Sequence, residues 1–356
     1  MVDGWHGRAV LVTGGASFIG SHLVAALARR GARVLVVDDL RSGRREHLAE
    51  LLAGERVELR VGDLCDVEVA RAAVRGRDVV FHLAADHGGR GYVDRHQAGP
   101  AQNLYLDGLL FREALRAGVA KVVYASSGCV YPSHLQTDPD EVLYLTEDRV
   151  GPPYDADNMY GWAKLMAEMT LRAYHAEHGL GAAACRYFTV YGPRAKEDHG
   201  LIAMIARAFL GQDPLEIWGT GEQVRNWTYV DDIVDGTIRA AERIDDGRAV
   251  NLGTTERTRV IDAARLILEL CGRPVRIAAR PEMPTGPLNR VASNELAREL
   301  LGWRPRVALR AGLRRTIDWY FANRTPGEAR HALEQEARGV ATPAMRRVAR
   351  AGVGDG

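Results

Sequence analysis

Between Arg8 and about Cys185 the chain repeats one pattern, a short apolar run followed by a longer amphipathic stretch. Val10-Leu11-Val12, Val34-Leu35-Val36-Val37, Val57-Glu58-Leu59-Arg60-Val61, Val79-Val80-Phe81-His82-Leu83 and Val122-Val123-Tyr124-Ala125 read as strands. Residues 21–30 and 104–117 carry apolar side chains at helical spacing. Strands regularly separated by helical segments need crossover connections, and crossovers make a parallel sheet. Nearly continuous apolar strands fit burial on both faces of that sheet. The pattern predicts an α/β fold, a Rossmann-type doubly wound parallel sheet, over residues 1–185.

After about Tyr191 the alternation weakens. Pro193, Gly200, Pro214, Gly219 and Gly221 punctuate shorter elements, with helices expected at 231–243 and 260–271. Residues 186–325 read as a smaller, partly discontinuous α/β substrate lobe that closes with a helix over 309–323. Residues 326–356 read as a loosely packed tail with a short helix-capable stretch. A chain of 356 residues can bury one large core or two unequal ones. Its 47 basic and 46 acidic residues give no global electrostatic case for nucleic acid or an anionic membrane. Any anionic ligand must therefore be held locally. Cys65, Cys129, Cys185 and Cys271 show neither a CxxC pair nor metal-ligand spacing, so no metal is expected. Free thiols in a reducing cytoplasm are the expectation. The first strand begins almost at once, so no signal peptide is expected, and no apolar run is long enough to cross a bilayer.

Val12-Thr13-Gly14-Gly15-Ala16-Ser17-Phe18-Ile19-Gly20 follows the first strand and opens the first helix. Small residues there let the backbone approach a pyrophosphate, and the helix N-terminus offers unpaired N–H groups and positive potential. A GxxGxxG pattern would have glycine at 17; Ser17 replaces it and is small enough to keep the approach open. Asp38 ends the second strand, where a carboxylate can accept from the adenosine ribose hydroxyls and repel a 2′-phosphate. NAD is thus expected over NADP, with Arg41 and Arg44 close by. Asp63-Leu64, after the third strand, suits an adenine contact. Leu83, Ala84 and Ala85 end the fourth strand at the crevice where such sheets bind ligands.

The fifth strand runs into Ser126-Ser127-Gly128-Cys129-Val130-Tyr131-Pro132, and Tyr160-Gly161-Trp162-Ala163-Lys164 follows. A tyrosine with a reference pKa near 10 is a poor base at neutral pH. A lysine one helical turn away, together with a positive nicotinamide ring, lowers that pKa. Ser127, Tyr160 and Lys164 can then take a proton from an alcohol while the nicotinamide takes a hydride. The thiol of Cys129, two residues from Ser127, hints at a second proton transfer. As a free cysteine it can equally be a small buried apolar residue.

Taken in order, TGGASFIG, the Asp38 strand end, HLAA, SSGCVYP, YGWAK, RYFTVYGP and YVDD resemble extended short-chain dehydrogenase/reductases that act on nucleotide sugars. The resemblance covers about residues 8 to 320 and is strongest to GDP-mannose 3,5-epimerases. It rests there on Gly88-Gly89-Arg90-Gly91 and on Ser127 through Pro132. It implies a nucleotide-diphosphate sugar substrate and an NAD-retaining epimerase. Oxidation at the sugar C4 acidifies the hydrogens on C3 and C5, and an acid–base pair inverts one of those carbons. Positioned acid–base help is worth roughly 10²–10⁴ in rate. Cys129 would be one partner; the other would be the lysine after Tyr191-Gly192-Pro193, here Lys196 with slightly displaced spacing, or His199. Gly88 and Gly89 would face the sugar, and Asn103 would help order the adjoining helix.

The same resemblance places Gln223 and Arg225 at the nucleotide and Arg290 at the diphosphate, where a planar guanidinium suits phosphate. Three departures bear on the nucleobase and the sugar. Thr189 replaces an asparagine, Ser293 stands where aspartate is common, and the expected lysine-rich stretch is absent from 197–207. The alternatives are a 4-epimerase with an idle thiol, a dehydratase or decarboxylase using the same ketone, and a non-catalytic NAD-sensing protein. Dehydration is disfavoured because no Asp-Glu pair follows Ser127. A homodimer is expected through the Tyr–Lys helix and the helix near 104–117.

Overall fold

In the computed structural model, which describes residues 4–338, seven parallel strands form one sheet. The strands β1 (Ala9–Thr13), β2 (Arg33–Asp38), β3 (Val57–Val61), β4 (Val79–His82), β5 (Lys121–Ser127) and β6 (Gly181–Tyr187) appear in sequence order. Across the sheet the order is Asp246–Leu252, β6, β5, β4, β1, β2, β3. Direction reverses between β1 and β4, which opens the ligand crevice of a doubly wound sheet at their carboxyl ends. All five expected strands are present, as is the Rossmann-type architecture.

Side chains alternate across β1. Val10 and Val12 enter a core shared with Leu23, Val24 and Ile233, whereas Leu11 enters the opposite core with Leu110 and Phe111. Every residue of β1 is buried because helices cover both faces. Removing one of these side chains, as in Leu11→Ala, carries a cost of about 2–5 kcal/mol.

The main sheet extends past the expected boundary at 185 and takes back Asp246–Leu252 from the second lobe. That strand was missed because it begins Asp246-Gly247-Arg248, and its pairing with β6 shifts register between Asp246 and Ala249. The rest of the lobe is built from short pieces. Leu215–Trp218 pairs with Ile277–Arg280, and Val224–Arg225 lies between Thr258–Arg259 and Asn289–Arg290.

The helix-capable stretch expected in the tail is present, but it is packed rather than loose. Pro326–Arg338 is a helix that packs on Gly200–Phe209, with Ala329 fully buried. Thr325 and Glu328 cap it reciprocally, Glu328 N donating to Thr325 Oγ1 at 3.2 Å and Thr325 N to Glu328 Oε2 at 2.9 Å. This is a capping box with proline at the first helical position. Residues 339–356 lie outside the described residues. Among the described residues no helix is long and apolar enough to cross a membrane.

Candidate active site

The turn from β1 into the Phe18–Arg29 helix brings Ser17, Phe18, Ile19 and Gly20 to one deep cleft, with Leu83 and Ala85 from beyond β4. The turn is tight. A Cβ on Gly20 would stand 2.2 Å from Gly14 O, and one on Gly14 would stand 2.9 Å from the Ala84 nitrogen. Ser17 Oγ donates to Gly14 O at 2.6 Å, so the serine found in place of glycine closes the turn. Asp38 accepts from the amides of Ala16 and Leu40 at 3.0 and 2.9 Å. Burial raises its pKa and those amides oppose the rise. A bare turn at a helix N-terminus beside this carboxylate fits the pyrophosphate and ribose of a dinucleotide. Asp63 is paired with Arg41 at 2.8 Å. The Leu64 side chain lies in the core.

At the chemical end, β5 delivers Ser127, and Cys129 follows on the short turn Gly128–Val130. Ser127 Oγ accepts from the Cys129 amide at 3.1 Å and so fixes that turn. The Asn158–His178 helix crosses it closely enough that a Cβ on Gly161 would lie 2.3 Å from Cys129 O. Glycine between Tyr160 and the following residues is therefore what lets the phenol reach the thiol's turn. Ser127, Cys129, Tyr160 and Lys164 all line the same cleft. Enclosure there lifts the Tyr160 pKa above its usual value, with the Cys129 charge adding and a hydrogen bond with Ser127 opposing. Burial pulls Lys164 below its usual value. The phenol thus keeps its proton until further positive charge arrives beside it.

Gly88 and Gly89 form part of the opposite wall. Asn103 clamps this loop, its Oδ1 accepting from Asp86 N at 2.7 Å and its Nδ2 donating to Asp86 O at 2.9 Å. A Cβ on Gly89 would fall 1.7 Å from Asp198 O, and Gly89 N donates to Asp198 Oδ2 at 3.0 Å. Lys196 lines the cleft, but its Nζ donates to Ser42 Oγ at 2.5 Å, on the loop after Asp38. That engages the ammonium at the cofactor side. His199 also lines the cleft and stacks on His87 with 6.5 Å between ring centroids. Its Nε2 stands 3.7 Å from Asp198 Oδ1, an oxygen with no hydrogen-bond partner among the described residues. The cleft walls, then the neighbouring His199 and Lys196, lower the His87 pKa, although the residue is exposed to solvent. Sequence reasoning missed His87 and Asp198, which become significant only once the two loops meet.

The third wall is cationic. Arg225 and Arg290 are paired positions on adjacent parallel strands. Arg290 donates to Asp157 Oδ2 at 2.9 Å, Gln136 Oε1 at 2.7 Å and Cys129 Sγ at 3.2 Å. Arg90 donates to the same Asp157 oxygen at 2.7 Å. Among the described residues Arg225 donates only to main-chain oxygens, of Val224 and Thr285, both at 2.8 Å. Enclosure, with the charges of Arg290 and Arg90, lowers its pKa to about 9. A guanidinium without a carboxylate partner, facing a cleft, suits an anionic ligand. Gln223 is used locally instead: its side chain bonds Trp218 O at 2.7 Å and Gly221 N at 3.0 Å, shaping the loop beside Arg225. Thr189 lines the cleft with φ 32, in the left-handed region. Asp157, missed from sequence, is the carboxylate that joins two of these arginines.

Comparison with known proteins agrees with this geometry. Residues 10–253 match the model of the NAD dependent epimerase/dehydratase family. The chain is 31% identical to GDP-mannose 3,5-epimerase 1 of Oryza sativa subsp. japonica, over 87% of this chain and 81% of that one. It is 33% identical to a UDP-glucose 4-epimerase of Mycolicibacterium smegmatis, over 88% and 99%. Among solved structures it is similar to UDP-glucuronic acid 4-epimerase from Bacillus cereus in complex with UDP-glucuronic acid and NAD. That likeness has a TM-score of 0.79 at 26% identity and covers 88% of this chain and 98% of that one. Cofactor turn, Ser–Tyr–Lys set and sequence likeness converge on one conclusion: the chain belongs to the NAD-dependent epimerase/dehydratase family.

Proposed function

We propose that this enzyme is an NAD-retaining nucleotide-sugar epimerase that inverts C3 and/or C5 of the sugar through a transient C4 ketone. One observation carries the reading. Cys129 lies in the cleft with Ser127 and Tyr160, its sulfur held by Arg290 at 3.2 Å rather than packed away among apolar side chains. NAD, held by the turn of Gly14 to Gly20 and by Asp38, would supply the hydride acceptor and donor at C4.

Tyr160 takes the C4 hydroxyl proton, and Ser127 holds that hydroxyl in line. Lys164 keeps positive charge near the phenol, standing 5.6 Å from its ring centroid. Cys129 moves a proton at C3 or C5 on one face of the sugar. On the other face we assign the transfer to His199, because Lys196 is engaged by Ser42. Each inversion removes one proton and returns one, so the sugar's composition is unchanged. Arg225 and Arg290 hold the diphosphate. The second reading is a 4-epimerase: with Lys196 engaged by Ser42, a His199 that moves no proton leaves Cys129 without a partner and only turnover at C4.

The test is incubation with GDP-mannose, UDP-glucose and UDP-glucuronate in D₂O, followed by NMR of the sugar. Deuterium at C3 or C5 is expected. Inversion at C4 without solvent deuterium would overturn the proposal.

A further inference from the structure

Lys164 is 2% exposed, and its ammonium makes one hydrogen bond, to Ala125 O at 2.8 Å. Among the described residues no carboxylate forms an ion pair with it. A buried ammonium in that position needs a counter-charge from somewhere. Its Nζ stands 4.5 Å from the centroid of the Tyr124 ring. Tyr124 is fully buried, and its hydroxyl donates to Asp107 Oδ2 at 2.7 Å.

Asp107 is 2% exposed, and its other oxygen meets His82 Nε2 at 2.9 Å. The protons in this chain can be assigned. Thr13 Oγ1 accepts from the amides of Leu83 and Ala84, both at 3.0 Å, so its own proton goes to His82 Nδ1 at 2.7 Å. With Nδ1 accepting, His82 is neutral and donates from Nε2 to Asp107. Among the described residues Asp107 therefore has two neutral donors and no arginine or lysine in ion-pair contact. Two buried opposite charges, Asp107 and Lys164, face each other through one aromatic ring. A phenol that donates to a carboxylate has a more electron-rich ring, which strengthens its attraction for a cation.

We propose that Asp107 is a positioning residue of the reaction, the counter-charge that keeps Lys164 charged and seated between Tyr124 and Tyr160. His82 and Thr13 aim the carboxylate, and Tyr124 carries its influence to the ammonium. The network spans the ends of β1 and β4, the middle of β5 and the Asn103–Arg116 helix, so it ties the cofactor turn to the Tyr–Lys pair. Other groups acting with Lys164 are Tyr160 and Glu168 on its own helix, Cys129 and His87. Burial pulls Lys164 down, and Asp107 opposes that more strongly than Cys129 or Glu168 does. This inference is independent of which sugar carbon is inverted.

The chain has three lysines, Lys121, Lys164 and Lys196, among its 47 basic residues, so lysine-selective ¹³C labelling gives three side-chain signals. Titrating them by NMR in the full-length protein, with and without NAD, tests the proposal. In Asp107→Asn the Lys164 midpoint is expected to fall by about one pH unit or more, with Lys121 and Lys196 unmoved. Tyr124→Phe, which keeps the ring and loses the hydrogen bond, is expected to give a smaller fall. A merely structural role would do the opposite, because a loosened core admits water and raises the midpoint. An unmoved or raised Lys164 midpoint in Asp107→Asn overturns the proposal. Should that variant fail to fold, the same result in Tyr124→Phe does so.

Discussion

Arg290 Nη1 donates to Cys129 Sγ across 3.2 Å, and the same guanidinium gives Nη2 to Asp157 at 2.9 Å. One side chain thus joins the thiol of the chemical site to the cationic wall. Asp157 holds that arrangement together, because Arg90 shares its carboxylate.

Removing Asp157 leaves Arg290, with a side chain 10% exposed, without its carboxylate. Breaking a buried pair from one side costs about 3–5 kcal/mol. Asp157→Ala is expected to lower the unfolding free energy by about that amount in urea melts. A change below ~1 kcal/mol would show the pair to be solvated in solution.

The same carboxylate sets a pH dependence. Burial raises its pKa, but Arg290 and Arg90 outweigh that and leave it below the usual value. A depressed carboxyl contributes stability above its unfolded pKa, near 3.9, and loses it as pH falls through the folded value. The gap between wild type and Asp157→Asn should stay constant above about pH 5 and narrow below about pH 4. Denaturant melts across pH 3–7 measure that gap, and narrowing at neutral pH would contradict the assignment.

Thr189 sits at φ 32, a region costly for a β-branched residue and tolerated by asparagine. Thr189→Asn is expected to stabilise the protein by about 1 kcal/mol, read as a raised thermal midpoint. A lowered midpoint would show that the threonine side chain more than offsets its backbone strain.

Leu104 and Tyr105 are 44% and 51% exposed on the Asn103–Arg116 helix, and Met166 is 44% exposed on the neighbouring Asn158–His178 helix. Apolar side chains grouped on adjacent helices mark an association face. Sedimentation is expected to give a dimer, and Tyr105→Glu combined with Met166→Glu a monomer. A monomeric wild type would refute this.

The cofactor end was legible because a glycine turn and Asp38 fall at fixed places in one βαβ unit, where local order sets the geometry. Ser127, Tyr160 and Lys164 were legible for a similar reason, lying at a strand end and one helical turn apart. Asp157 was not, since its partners Arg90 and Arg290 lie 67 and 133 residues away. The direction of Lys196 was equally hidden: Arg194 takes φ 71, so spacing after Tyr191-Gly192-Pro193 no longer tells where the amine points. The Thr325–Glu328 capping box, by contrast, was local and readable, and the small-residue, Arg-rich composition beyond it obscured it.

The central claim, that Cys129 moves a proton on a ketone made by Tyr160, is tested most directly by Cys129→Ala in D₂O with GDP-mannose. Solvent deuterium at C3 and C5 and reduction of bound NAD are followed in the same sample. The expected result is loss of exchange by about 10²-fold or more, with cofactor reduction kept. Exchange at the wild-type rate in that variant would contradict the claim.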